Sequence, residues 1–490
     1  MKVLSVTSEI FPFVKTGGLA DVTGSLPKAL KSFGVDSITL VPGYPALLPL
    51  VRSSEPLLEF DELLGERGQI RFLDTGGLML FVLDIPALYE RAGSPYLDPE
   101  GRDHPDNWKR FAALSLAAAL IANGDLPGWM PDVVHTHDWQ SALTSVYMRE
   151  MGCQTPVVLT IHNIAFQGQY ASSLVPYLHL PPSTLSVDCL EYFGDISFLK
   201  GGLMTSDIIT TVSPTYAREI LTPKFGMGME GVLKLRSDDL RGILNGIDDE
   251  VWDPETDPHL PQPYSAASPE LKRKSRRKLV QTLGLDDDGG PIFSAISRLT
   301  WQKGMDMLAY AADYIAFSGA KLVVCGKGDA DIERMLLDAA DKHPGRIAVH
   351  IGYGEELAHL IHGGSDAIIQ PSRFEPCGLT QLYGLRYGTI PVVSRTGGLA
   401  ETVIDANDAA MNAQVATGFQ FHPVTTEGLC HAIRRAMEAY KNPKQWQQIQ
   451  QQGMKARFSW ERSAGQYAAL FRALAKKAAP ANSHLQQAAG

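Results

Sequence analysis

Four segments hold residues whose types and spacing suit chemistry at a phosphorylated substrate. The first is KTGGLADV at 15–22. Its adjacent glycines, Gly17 and Gly18, let a backbone approach a ligand closely, and helix-terminal N–H groups just after them favour an anion. Lys15 adds positive charge and Asp21 a hydrogen-bond acceptor; a tight turn with a solvated lysine explains the same pattern equally well. The second is SRLTWQKG at 297–304, where Arg298 and Lys303 follow an apolar run. Two fixed cations there would stabilise charge growing on a departing diphosphate more than they stabilise the ground state. The bland reading is a pair of ordinary surface charges. The third is SRFEPCGLTQ at 372–381. Pro376 and Gly378 predict a loop entering a helix near Leu379, whose first N–H groups suit phosphate oxygens. Glu375 is placed to accept from sugar hydroxyls or merely to cap that helix. Cys377 has no base beside it and reads as structural, not as a nucleophile.

The fourth segment is rich in histidine. His135 and His137 close one apolar run, with Asp138 next, and His162 closes another, followed by Asn163. Two histidines and an aspartate raise the question of a metal. The expectation that the two rings leave opposite faces of their strand argues against one, so no metal and no cofactor is expected. His162 is the better candidate to touch substrate. Two other signals are weak. GKG at 326–328 begins a dinucleotide fingerprint, but Asp331 stands where the third glycine belongs, which disfavours a nicotinamide cofactor. KRKSRRK at 272–278, six basic residues in seven, is expected to be a solvated helix face and not a polyanion patch.

These residues need rigid elements behind them. Short β-branched and apolar runs occur at 2–8, 37–41, 80–85, 133–136, 157–161 and 208–212, and again at 292–296, 321–325, 347–351, 367–370 and 390–393. Each ends near Gly, Ser, Asn or Asp and leads into a helical pattern. Continuous apolar runs suit strands buried on both faces, so the sequence predicts an α/β chain with two parallel-sheet, Rossmann-like domains. TGGLAD at 16–21 is echoed by TGGLAE at 396–401, each between a strand region and a helix, which suggests two similar halves. Ligands of open α/β sheets bind beyond the carboxyl ends of the strands, so a cleft between the halves is the expected site. Residues 246–269, rich in proline and acid, are not expected to be core, which places the domain hinge at or just before them. The division is 1–245 and 246–458, with a helix at 459–475 returning to the first domain and a disordered tail at 476–490.

Bulk properties narrow the classes. At 490 residues the chain exceeds one ordinary core, and a hydrophobic fraction of 44% with 20% charge marks a globular protein. A net charge of −10 argues against nucleic acid or an anionic membrane as main partner. Five scattered cysteines without CxxC spacing exclude a disulfide framework and a zinc ribbon. The first residues lack the basic start of a signal peptide, and the longest apolar helical stretch, 111–122, is too short for a bilayer. A cytoplasmic enzyme is the expectation.

In order along the chain, KTGGLADV, HTHDWQ (135–140), TIHN (160–163), NGID (245–248), SRLTWQKG, SRFEPCGLTQLYGLRYG and RTGGLAETV resemble the bacterial and plant starch and glycogen synthases. The likeness covers about 470 residues. It implies the two-domain GT-B fold and retaining transfer of glucose from ADP-glucose to the 4-hydroxyl end of an α-1,4-glucan. It also implies residue roles. Lys15, Arg298 and Lys303 would contact the donor phosphates, with backbone cradles at Gly18 and at Cys377, Gly378, Leu379 and Thr380. His162 would touch glucose, its carbonyl near the anomeric carbon, and Glu375 would hold the sugar hydroxyls. Asp21, Asp138 and Asn245 would be further donor or sugar contacts, and Tyr353 a neighbour of the adenine ring. Many related retaining enzymes carry a second glutamate eight positions after the first; here that position is Tyr383, so a ribose contact must come from elsewhere. Competing expectations are another GT-B transferase using UDP-glucose, and a non-catalytic glucan-binding protein that has kept the fold.

Overall fold

The structure is a computed structural model describing residues 1–483, with side chains described to residue 478. Two compact units emerge, one of Met1–Gly246 together with the segment from Trp460, the other of Ile247–Ser459.

The first unit is built on a nine-stranded sheet. Its strands are β1 Lys2–Val6, β2 Asp36–Pro42, β3 Leu58–Leu63, β4 Glu66–Asp74, β5 Met79–Asp84, β6 Val133–His137, β7 Val157–Ile161, β11 Ile208–Thr211 and β12 Leu240–Gly242. They lie in the order β12-β11-β7-β6-β1-β2-β5-β4-β3. A small antiparallel sheet, β8 Gln169–Tyr170, β9 Glu191–Tyr192 and β10 Asp195–Ser197, belongs to the same unit. β6 and β7 are buried at every residue, as continuous VVHTH and VVLTI runs require when helices cover both faces. From β12 to β5 the pairing is parallel; β4 and β3 add antiparallel strands at one edge. That edge hairpin escapes a search for apolar runs because LEFDEL alternates polar and apolar residues, as a half-solvated strand does. β6 sits between β1 and β7, so the carboxyl ends of these three strands are neighbours.

The helix Gly18–Lys31 packs on the helix Trp460–Ser483. Val22, Leu26 and Leu30 share one buried cluster with Trp460, Ala464, Tyr467 and Phe471. The terminal helix runs past 475, where the sequence reading ends it, to Ser483. Residues 476–483 are therefore helical, where the sequence reading has a disordered tail. The rest of the expected tail, 484–490, lies outside the described residues.

The second unit holds a six-stranded, fully parallel sheet. Its strands are β13 Ile292–Ile296, β14 Lys321–Gly326, β15 Ile347–Ile351, β16 Ala367–Gln370, β17 Ile390–Ser394 and β18 Phe419–Phe421. The order is β15-β14-β13-β16-β17-β18. β13 and β16 are adjacent, which brings together the loops that follow them. Residues 246–269 differ from the expectation that they lie outside any core. Trp252, Leu260 and Tyr264 are buried, and Trp252 stacks between His359 and Tyr383 at 4.0 and 3.9 Å. Asp257 is buried too, held by His359 Nδ1 at 2.7 Å and the Tyr387 hydroxyl at 2.5 Å. Proline and acid did not exclude a core here because aromatic rings at 252 and 264 supply the apolar surface.

The basic run also divides. Lys272 is buried, donating to the carbonyls of His362 and Tyr387 and to Thr389 Oγ1, and Arg276 pairs with Asp366. Only Arg273, Lys274, Arg277 and Lys278 form the expected solvated face. Among the described residues no helix is long and apolar enough to cross a membrane, and no group of three or more His, Cys, Asp or Glu could hold a metal ion.

Candidate active site

In the second unit the loop after β13 carries Arg298 and Lys303, and the loop after β16 carries Glu375. Lys303 Nζ donates to both carboxylate oxygens of Glu375, at 2.8 and 2.6 Å, and Ser372 Oγ adds a third bond at 2.9 Å. Glu375 is 4% exposed, so this is a nearly buried ion pair, with one bond on Oε1 and two on Oε2, which leaves Oε1 able to accept another. Arg373, which sequence reasoning did not single out, ties the two loops. Its backbone N–H donates to the Gln302 carbonyl at 2.9 Å and its Nη1 to the Trp301 carbonyl at 2.6 Å. Its guanidinium grips Asp306 at 2.7 Å through both nitrogens and lies 4.4 Å from the Trp301 ring centroid. No signal in the sequence paired Arg373 with Asp306, because the contact is long-range.

The echoed TGG at 396–398 supports the same loop. A Cβ at Gly397 would meet the Glu375 carbonyl at 1.9 Å, and one at Gly398 the Cys377 carbonyl at 2.1 Å. Those glycines allow close backbone packing beneath Glu375–Cys377. Gly378 has φ +73 and leads through Leu379 into the helix Thr380–Arg386. Cys377 is buried, and Leu379 and Thr380 are half-buried.

In the first unit two consecutive residues at the end of β6 hold His162. Asp138 Oδ1 accepts from the N–H of His162 at 2.7 Å and of Asn163 at 3.3 Å. Asp138 adopts φ +55, a left-handed conformation that costs energy in a non-glycine residue and turns its carboxylate onto the neighbouring strand end. Burial pushes its carboxyl up to about 7, although the two N–H donors oppose the rise. His137 Nδ1 lies 3.0 Å from His162 Nε2. The His135 and His137 rings are 4.1 Å apart and therefore share one face, contrary to the expectation of opposite faces. A strand repeats every two residues, so positions i and i+2 point the same way. Burial pushes His135 and His162 down to about 3 and His137 well below its usual range, so all three rings are neutral.

The Lys15 loop is anchored by a residue the sequence reading passed over. Glu9, 3% exposed, accepts from Thr16 N–H at 2.6 Å, Thr16 Oγ1 at 2.5 Å, Gly17 N–H at 3.2 Å and the Tyr96 hydroxyl at 2.5 Å. A carboxylate in an otherwise apolar opening run was the available clue. Lys15 Nζ contacts Asp21 at 2.8 Å, and nothing lies within 4 Å of a Cβ built on Gly17. Gly18 opens the helix Gly18–Lys31 and is exposed.

The remaining candidates join no cluster. Arg298 is exposed, with one long contact to Gln302 at 3.5 Å. Tyr353 is 57% exposed and donates to Glu355 at 2.6 Å. Asn245 is buried, and its Oδ1 has no hydrogen-bond partner among the described residues. Tyr383, where related enzymes have a second glutamate, is buried against Trp252. Each unit thus offers a paired lysine and a buried carboxylate beyond the carboxyl ends of parallel strands, and the first unit adds an open backbone turn at Gly17. That set can bind a polyphosphate and hold hydroxyl groups, and it presents no activated serine or cysteine nucleophile.

Residues 2–235 match the family model described as the starch synthase catalytic domain, and residues 278–453 match glycosyl transferases group 1. Relatives named glycogen synthase include one from Rhizobium etli, 60% identical over 97% of this chain and 100% of its own. Glycogen synthase 1 of Rhizobium meliloti is 57% identical over 97% of this chain and 100% of its own. Among solved structures, the catalytic domain of starch synthase IV from Arabidopsis thaliana, bound to ADP and acarbose, is similar with TM-score 0.87 and 30% identity. That likeness covers 97% of this chain and 99% of the other.

Proposed function

We propose a specific reaction for a chain that belongs to the family of glycogen and starch synthases: retaining transfer of glucose from ADP-glucose to the non-reducing 4-hydroxyl of an α-1,4-glucan. Its family makes the protein a glycosyltransferase of the GT-B fold. The choice of donor and acceptor draws support from the starch synthase that binds ADP and acarbose. The observation that carries the proposal is the Lys303–Glu375 ion pair, a phosphate-binding type of cation beside a hydroxyl-binding type of carboxylate.

In this reading Lys15, Arg298 and Lys303 neutralise the donor diphosphate, with the backbone at Gly18 and at Cys377–Thr380 as further N–H donors. His162, Asp138 and Glu375 hold the glucose, Asp21 and Asn245 assist the donor, and Tyr353 lies beside the base. The bond from the anomeric carbon to the diphosphate oxygen breaks, and the acceptor O4 bonds to the same face of that carbon. The proton of the 4-hydroxyl passes to the departing diphosphate, so no protein nucleophile is needed. The enzyme contributes position and charge stabilisation.

The test is release of ADP from ADP-glucose with and without added glycogen, run beside UDP-glucose. Glycogen-dependent ADP release with little UDP release supports the reading. Preference for UDP-glucose would overturn the donor assignment, and release indifferent to glycogen would overturn the acceptor.

A further inference from the structure

We infer that Ser5 and His137 hold His162 in the tautomer with its proton on Nδ1, so that His162 meets its ligand as a hydrogen-bond donor to a sugar oxygen. The ligand half of this inference rests on the reading of His162 as a substrate contact. The groups form a chain from β1 through β6 to the residue that follows β7. Ser5 Oγ lies 3.2 Å from His137 Nε2, and His137 Nδ1 lies 3.0 Å from His162 Nε2. Ser5 is 4% exposed and His137 1%.

The polarity of the chain follows from counting protons. Ser5 Oγ has no other hydrogen-bond partner among the described residues. A buried hydroxyl proton without an acceptor costs about 1–3 kcal/mol, so Ser5 donates to His137 Nε2. A neutral imidazole carries one N–H. With Nε2 accepting, His137 keeps its proton on Nδ1 and donates to His162 Nε2. The same count leaves the proton of His162 on Nδ1. Reversing the chain would strand the serine proton in the core. Both rings are kept neutral by burial, so neither gains the second N–H that would break the count. His162 is half-buried, and its Nδ1 has no protein partner among the described residues, which leaves that N–H for a ligand oxygen. Ser5 and His137 are in this sense positioning residues: they act on substrate only through His162.

The experiment is a long-range 1H–15N spectrum of the full chain labelled with 15N-histidine, with the two rings assigned by loss of signal in His162→Gln and His137→Asn. Both rings are expected to be neutral and protonated on Nδ1. Ser5→Ala is expected to move population of both rings toward the Nε2–H form. It should also lower kcat about 10-fold, the value of one hydrogen bond, with the KM for ADP-glucose changed less than about twofold. His162 protonated on Nε2 in the wild type would overturn the inference, as would Ser5→Ala with unchanged tautomers and wild-type kcat. His162→Gln with wild-type kinetics would instead overturn the reading of His162 as a substrate contact, a failure visible even when the tautomers are as inferred.

Discussion

Lys303 and Glu375 neutralise each other through two hydrogen bonds of 2.8 and 2.6 Å from one ammonium to one carboxylate. The side chains are 19% and 6% exposed, so the pair is poorly screened by solvent. Removing one partner leaves the other as an uncompensated charge. The two substitutions should therefore act differently on the diphosphate alone. Lys303→Ala is expected to weaken ADP binding about 10-fold or more, the loss of a charge-assisted bond. Glu375→Gln frees the ammonium and should bind ADP at least as tightly as the wild type while losing most turnover. Calorimetric titration with ADP separates the two. Equal weakening by both substitutions would show that Glu375 serves the nucleotide and not the sugar.

Arg298 offers a cleaner test of charge stabilisation, because its single 3.5 Å contact gives it little structural role. Arg298→Ala should shift the melting temperature negligibly, as exposed substitutions usually stay within about 0.5 kcal/mol. Turnover should fall on the order of 10²–10³-fold if the guanidinium meets charge that develops in the transition state. Near-normal turnover in this variant and in Lys303→Ala would remove the cations from the mechanism.

Glu9 gathers four donors on one carboxylate, two of them the N–H groups of Thr16 and Gly17. A glutamine there has one acceptor oxygen and turns its own amide protons toward the remaining donors. Glu9→Gln should loosen the Lys15 loop and raise the KM for ADP-glucose about 10-fold, while Tyr96→Phe, which removes one donor only, should do less. Steady-state kinetics of the two variants, alone and combined with Lys15→Ala, decides the matter. Losses that multiply with that of Lys15→Ala would mean that Glu9 does not act through the loop.

The parallel strands were legible because a strand buried on both faces is mostly apolar, as VVLTI and IPVVS are, with one hydroxyl residue each. The motif loops were legible because glycine, proline and paired charges are concentrated at strand ends. What the sequence hid were contacts between distant positions. Glu9 looked like an irregularity in a strand until Thr16 and Tyr96 came to meet it, and Arg373 required Asp306, 67 residues away. Trp252 and Asp257 were hidden by composition, since their prolines and acids resemble a linker while their rings and carboxylate are buried among His359, Tyr383 and Tyr387.

The two TGG echoes look alike in sequence and should respond oppositely to alanine. At Gly17 an added Cβ meets nothing within 4 Å, and φ is −161, which any residue adopts. At Gly398 it would meet the Cys377 carbonyl at 2.1 Å and Cα at 2.4 Å, both backbone atoms that cannot swing aside. Gly398→Ala is therefore expected to destabilise the second unit by about 1–3 kcal/mol or more, as overpacking does. Gly17→Ala should leave the melting temperature unchanged and raise the donor KM, because the new methyl group occupies space open to a ligand. Thermal melts with kinetics on each variant check both halves. A Gly17→Ala enzyme with unaltered KM would argue that this turn carries no ligand.

Lys272 makes the stability of the second unit depend on pH in a direction that can be worked out. Burial pushes its ammonium down to about 7 from a usual 10.5, against a smaller upward pull from Asp366. Between those two values the unfolded chain binds a proton that the folded chain does not, so stability rises with pH across that window. Below about 7 both states are protonated, and the cost of a buried cation is felt in full. Lys272→Met removes this dependence while forfeiting the bonds to His362, Tyr387 and Thr389. The variant should therefore compare best with the wild type at the acid end of the window and worst at the alkaline end, with the gap changing by about 1–4 kcal/mol. Denaturant midpoints of both proteins at several pH values across the window measure that gap. A gap independent of pH would mean that Lys272 stays charged throughout, satisfied by its oxygen partners alone.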